Sequence, residues 1–116
     1  MANPNLLSAT SVLGKSKQQA LTTTLTADIL VAASSHLYIL KNIVITNIDG
    51  TNSVDFTLGI IKSGGSVIAI ASTVPVSADT TIVIPGPWYL EEGDTLEGGA
   101  SANSDANVTV NYLDVS

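Results

Sequence analysis

The chain has 116 residues, of which 45% are hydrophobic and only 12% charged, and its formal net charge is −6. The high apolar fraction excludes a disordered tail and the scarcity of charge excludes a coiled coil, while no apolar run approaches the ~20 residues of a membrane-spanning helix. The length suits one domain. Residues 1–19 are polar and small, and Gly14 to Gln19 shows no apolar periodicity. They predict an irregular N-terminal arm, 1–19, ahead of a single β domain over 20–116. From Ala20 onward Thr and β-branched residues dominate, a composition that suits pleated surfaces.

Residues 21–25 and 29–32 read as short strands. Residues 37–48 form the longest apolar segment. Strict alternation points Ile39, Ile43 and Ile45 one way, and Tyr38, Leu40, Val44 and Ile48 the other. Apolar residues on both sides imply that both faces are covered, the second by a neighbouring subunit. Asp49-Gly50-Thr51-Asn52 reads as a hairpin turn into residues 54–60, where Val54, Phe56, Leu58 and Ile60 alternate with Asp55, Thr57 and Gly59. Ser63-Gly64-Gly65 is a second turn. Residues 67–71 and 74–76 follow as an edge or strand end, because Pro75 lacks a donor.

Residues 80–84 form another strand, which Pro85-Gly86-Pro87 stops. Trp88-Tyr89-Leu90, a turn at 91–94, a strand at 95–100 and a polar loop at 103–106 come next. Val108, Val110 and Tyr112 alternate through the last strand. Seven or eight short strands, with turn signals about every 8 to 12 residues, predict an all-β, single-domain β-sandwich or jelly roll.

Partners are narrowed by charge. Lys15, Lys17, Lys41 and Lys62 are the only strong cations against ten carboxylates, so neither nucleic acid nor an anionic membrane is expected as a partner. Without cysteine there is no disulfide or thiolate metal site. The N-terminus carries no basic region of a secretory signal, which points to synthesis in a cytoplasm.

Four features could carry chemistry. Glu91, Glu92, Asp94 and Glu97 form the densest charge group, but the calcium-loop spacing is absent, and a solvated turn with diverging carboxylates is expected. His36, beside Ser34 and Ser35, reads as a loop histidine leading into the long strand, since sequence neighbours do not share a catalytic direction. Asn107-Val108-Thr109 fits a glycosylation acceptor, though it is better read as the start of the final strand. Trp88 and Tyr89 could stack on a sugar or anchor an interface. No constellation supports catalysis, a metal or a cofactor, so the expectation is a protein that is not an enzyme.

The order of segments over 29–116 resembles a family of small β-sandwich virion proteins of tailed bacteriophages. The resemblance rests on Ile29-Leu30-Val31-Ala32-Ala33, the strand from Leu37 to Asn47, Val54-Asp55-Phe56-Thr57-Leu58, and the run from Val74 to Thr80. It continues through Tyr89-Leu90-Glu91-Glu92-Gly93-Asp94-Thr95-Leu96, Ala100-Ser101-Ala102 and Val108-Thr109-Val110-Asn111-Tyr112. Where relatives place Pro-Ala before the long strand, this chain has Ala32-Ala33. The resemblance implies a role in the virion, assembled in the host cytoplasm. A capsid decoration or cement protein is expected first, with a tail, neck or fibre component as the alternative. A carbohydrate-binding module is the rival from another class. The implied partners are further copies of the chain, as a trimer suited to local threefold positions, and the major capsid protein or another virion protein. Tyr38, Leu40, Val44, Trp88 and Tyr89 are the candidate interface residues.

Overall fold

The structure is a computed structural model and is described over residues 9–116. Its strands are β1 (Val12–Ala20), β2 (Asp28–Val31), β3 (Leu37–Asn47), β4 (Val54–Ile61), β5 (Val67–Val76), β6 (Thr81–Leu90), β7 (Thr95–Ala100) and β8 (Ala106–Val115). They form two four-stranded antiparallel sheets, ordered β1-β8-β3-β6 and β2-β7-β4-β5. Here they are the β3 sheet and the β4 sheet. Only the β4–β5 connection stays within one sheet. Every other connection between these strands crosses to the opposite sheet, which makes the sandwich a jelly roll.

Alternation supplies the core. Ile43, Ile45, Val108 and Val110 face Val54, Phe56, Leu58 and Leu96 across the sandwich, and all are buried. Each such side chain contributes about 1.5–3 kcal/mol relative to an exposed one. Leu21 also belongs to this core, yet residues 21–25 are loop and not the expected strand. Their backbone joins the edge of β7 beyond the end of β2: the Gly98 amide donates to the Ala27 carbonyl at 3.0 Å, and the Ala100 amide to the Thr22 carbonyl at 2.8 Å.

The expected arm is a strand over much of its length. Val12–Ala20 pairs in unbroken register with β8, from Val12 opposite Val115 to Ala20 opposite Asn107. Its polar composition is that of an exposed edge strand, whose side chains have little to bury against, so periodicity is silent there. Residues 1–8 of the expected arm lie outside the described residues.

Asp49-Gly50 does not make a hairpin either, because β3 and β4 lie in different sheets. The Asp49 carboxylate accepts from the Thr51 and Asn52 amides at 2.8 and 3.1 Å, closing an Asx-type turn that carries the chain across. Asn47, buried at the end of β3, donates from Nδ2 to the carbonyls of Asn52 and Val76, both at 3.0 Å, and ties the crossing to β5.

Pro85-Gly86-Pro87 does not stop its strand. β6 is an edge strand, so a proline there needs no partner on its open side. Opposite it, β3 is bulged at Lys41: Leu40 pairs with Trp88 and Tyr112, and Asn42 with Pro85 and Asn111. Gly86 permits the close approach, since a Cβ there would press on the Leu40 and Lys41 carbonyl oxygens, 2.6 Å from the latter. The bulge shifts the alternation of β3 by one residue. Tyr38 and Leu40 point inward before it, and Ile43 and Ile45 after it. The strict alternation read from the sequence therefore fails at this residue.

Candidate interaction face

Register defines what the β3 sheet shows on its outer side. One row runs Gln18, Thr109, Val44, Val83, and another runs Ser16, Asn111, Asn42, Pro85. A third runs Gly14, Leu113, Ile39, Tyr89. The polar members bond to one another. Asn111 Nδ2 donates to Asn42 Oδ1 at 2.7 Å, Gln18 Nε2 donates to Ser16 Oγ at 3.2 Å, and the Thr46 and Thr81 hydroxyls lie 3.3 Å apart. Between them stand apolar groups, with Val83 at 55% and Tyr89 at 52% exposure.

Among the described residues, no carboxylate takes an outward position on this sheet. The exposed bulge residue Lys41 is the charge nearest the face. Lys15 and Lys17 occupy inward-side positions on the β1 edge, opposite Tyr112 and Val110, where charge discourages pairing with another strand.

The outer side of the β4 sheet is different. Asp28 pairs with Glu97, which pairs with Gly59, and Asp55 stands farther along β4. Glu97 is only 4% exposed and has no hydrogen-bond or ion partner among the described residues. Burial raises its carboxyl above the usual range, and the negative charge of Asp28 adds to this.

Both remaining charge clusters fasten loops and edges. Asp114 is buried between Lys15 Nζ at 2.7 Å and His36 Nδ1 at 2.5 Å, so it joins β1 and the β2–β3 loop to β8. Burial alone would raise its carboxyl, but the Lys15 and His36 contacts outweigh that and hold it low. The Tyr38 and Tyr112 rings pack beside it with centroids 4.9 Å apart. Asp94 accepts from Lys62 Nζ at 2.7 Å and from the Ser63 and Glu91 amides, both at 3.0 Å. Burial again opposes ionisation, and the Lys62 ammonium with the two amides outweighs it.

The acidic turn is thus only partly the expected one. Asp94 is buried and bonded, not solvated, because it closes its own turn onto the β4–β5 hairpin. Glu91 reaches Lys62 at 3.3 Å, Glu92 accepts from Ser34 Oγ at 3.1 Å, and Glu97 faces away. His36 lies in the expected loop, but its contact with Asp114, 78 residues away, has no local signal in the sequence. Among the described residues no group of three or more His, Asp or Glu could hold a metal.

The structure divides the five candidate interface residues. Tyr38 and Leu40 are buried in the core, on the inner side of the bulge. Trp88 pairs with Leu40, packs half-buried against the core, and donates from Nε1 to the Pro85 carbonyl at 3.0 Å. Val44 and Tyr89 remain on the outer face. Ile39, Leu113 and Val83 join them there and were missed, since only the bulge reveals which side Ile39 takes.

No protein-family model and no curated protein sequence matches the chain. Among solved structures, it is similar to VP2 in the subviral particle of infectious bursal disease virus, with a TM-score of 0.50 and 14% identity over 90% of this chain and 32% of that one. It is also similar to a pentameric capsid protein from metagenomic phage sequences, with a TM-score of 0.41 and 15% identity over 86% and 61% of the two chains. Eiger TNF from S. frugiperda gives a TM-score of 0.45 and 10% identity over 90% of each chain. The chain spans about a third of the length of the VP2 chain. At such identities the likeness to VP2 is one of fold, and it agrees with the jelly-roll strand order.

Proposed function

We propose that the chain is a virion structural protein of a tailed bacteriophage, a capsid decoration or cement protein that self-associates and binds the shell. The observation that carries the reading is the outer face of the β3 sheet, free of carboxylates among the described residues, with Val83 and Tyr89 exposed on it. A partner surface that buries such a face gains about 25 cal/mol per Å² of apolar area without desolvating a charge. The phage resemblance over 29–116 and the fold likeness to a viral particle protein support the same class. Nothing in this role requires a cofactor or a catalytic group.

Copy number in purified particles tests it. Mass spectrometry should find the chain in the particle, and hundreds of copies would support decoration of the head. A count of about 3 to 12, the order of a small symmetric ring, would move it to the neck or tail. Absence from particles would overturn the reading. The carbohydrate-binding alternative keeps one observation, the exposed ring of Tyr89, now without Trp88 beside it on the same face. A Tyr89→Ala variant that assembles normally and loses only glycan binding would favour that module.

A further inference from the structure

The charges of this molecule are distributed unevenly. Asp28, Asp55 and Glu97 belong to the β4 sheet, and Asp49, Asp79 and Asp105 lie in loops at one end of the sandwich. There the Asp79 amide donates to the Asp49 carbonyl at 3.2 Å, and the Ile48 amide to the Asp105 carbonyl at 2.8 Å. In a chain of net charge −6, a second copy meets the least repulsion at the one broad face without carboxylates. We infer that the outer face of the β3 sheet is the contact between two copies of this chain. This rests on the proposed self-association and names its surface.

Area supports a second copy as the occupant. Four strands about 4.8 Å apart, each with about nine residues at about 3.3 Å, make a face of roughly 570 Å². Two such faces bury roughly 1,100 Å², just above the ~1,000 Å² of a specific interface and below the ~1,600 Å² of a standard one. The contact is therefore a modest one that depends on concentration.

A face that meets its own copy closes as a twofold pair, so a dimer replaces the trimer expected from the resemblance. Val44 and Val83, adjacent in register, lie one row in from the Asp49 and Asp79 end of the face, Val83 on the edge strand β6.

Sedimentation of the purified full chain, from about 1 to about 200 µM, tests this. The wild type should pass from monomer to dimer. Val83→Glu should weaken the dimer by about tenfold or more with an unchanged circular dichroism spectrum, because the position is exposed in the single chain. Ile68→Glu, at a still more exposed position on β5 of the other sheet, should not weaken it. A wild type that stays monomeric at the highest concentration overturns the proposal, as does a trimer or a dimer indifferent to Val83→Glu. A monomer whose Val83→Glu variant loses only its retention on particles also overturns it, and assigns the face to the shell protein. Virion membership is measured separately by mass spectrometry of particles, so failure of that reading remains distinct from failure of this one.

Discussion

On the β3 sheet the outward residues are Thr, Asn, Ser, Gln, Val, Ile, Leu and Tyr, with Gly14, Ala20 and Pro85. On the β4 sheet they include Asp28, Asp55 and Glu97, and the loop over 21–27 folds across Gly99, where a Cβ would sit 2.6 Å from the Thr22 carbonyl oxygen. Away from the bulge both sheets alternate in the same way, and the residues they give to the core are alike in kind, mostly Ile, Leu and Val. The outward residues are not. One face has its own anions and a covering loop, while the other, among the described residues, carries no carboxylate. Folding sets the inner half of each strand, so differences in what the molecule does are carried by the outer half.

The sharpest way to break this comparison is within β3, where the bulge decides which half a residue belongs to. Leu40→Ala should cost about 2–5 kcal/mol, as truncation of a fully buried leucine does. Val44→Ala, only four residues on, should cost about 1 kcal/mol or less in the monomer. Urea denaturation of both variants measures the gap. Equal costs would place Leu40 and Val44 on one face, as strict alternation has it, and would remove the bulge from the account.

A second test concerns the β6–β7 turn. Asp94→Ala should destabilise by about 2–3 kcal/mol at neutral pH, because the Ser63 and Glu91 amides lose their acceptor. The Asp94 carboxyl is held below its ordinary range. Its contribution is therefore complete above the unfolded value near about 3.9 and is lost as the pH falls through the lower folded value. Thermal melts from neutral pH down to about 2 should show the variant and wild type converging only in acid. Asp114 is also held low, and Asp114→Asn should converge with wild type over the same acid range.

The smallest expected effect has the opposite sign. Glu97 is buried beside Asp28, with no hydrogen-bond or ion partner among the described residues, and its carboxyl is raised. Folding then opposes its ionisation, a cost that is present above its folded value and vanishes below the unfolded value near about 4.3. Glu97→Gln should raise the melting temperature at neutral pH by about 1–3 °C and change nothing in acid. A loss of stability at neutral pH would mean that the carboxylate has a favourable role on the β4 sheet. The contrast between the two faces would then narrow.

Much of the sandwich is legible in the sequence because alternation is a direct imprint of burial. Val54 to Ile60 and Val108 to Tyr112 announce both their strands and their inward sides. What is illegible has physical causes. β1 buries almost nothing, so its sequence shows no period. Asp49-Gly50 suits a tight turn whether the chain returns to the same sheet or crosses to the other, so local chemistry cannot distinguish hairpin from crossover. Lys41 looks like any exposed strand residue, yet skipping it exchanges the two sides of β3. Strict alternation therefore puts Tyr38 and Leu40 on the same side as Val44, whereas the bulge puts them on the opposite one. Of the face itself, Val44 and Tyr89 were visible from the sequence, while Ile39, Val83 and Leu113 needed the register.

The order of strands also bears on how the molecule comes into being. β8 is last along the chain among the eight, yet it lies between β1 and β3 and supplies hydrogen-bonding partners to both. Until residue 115 has left the ribosome, β1 has no neighbour and one flank of β3 stays open. With all but one connection crossing between sheets, neither sheet can close early on local hairpins, and the contacts that stabilise the fold are long-range. Neither β1 nor the β8 flank of β3 can pair before β8 itself is available, so folding of this sandwich should be a slow, cooperative event that awaits its last strand.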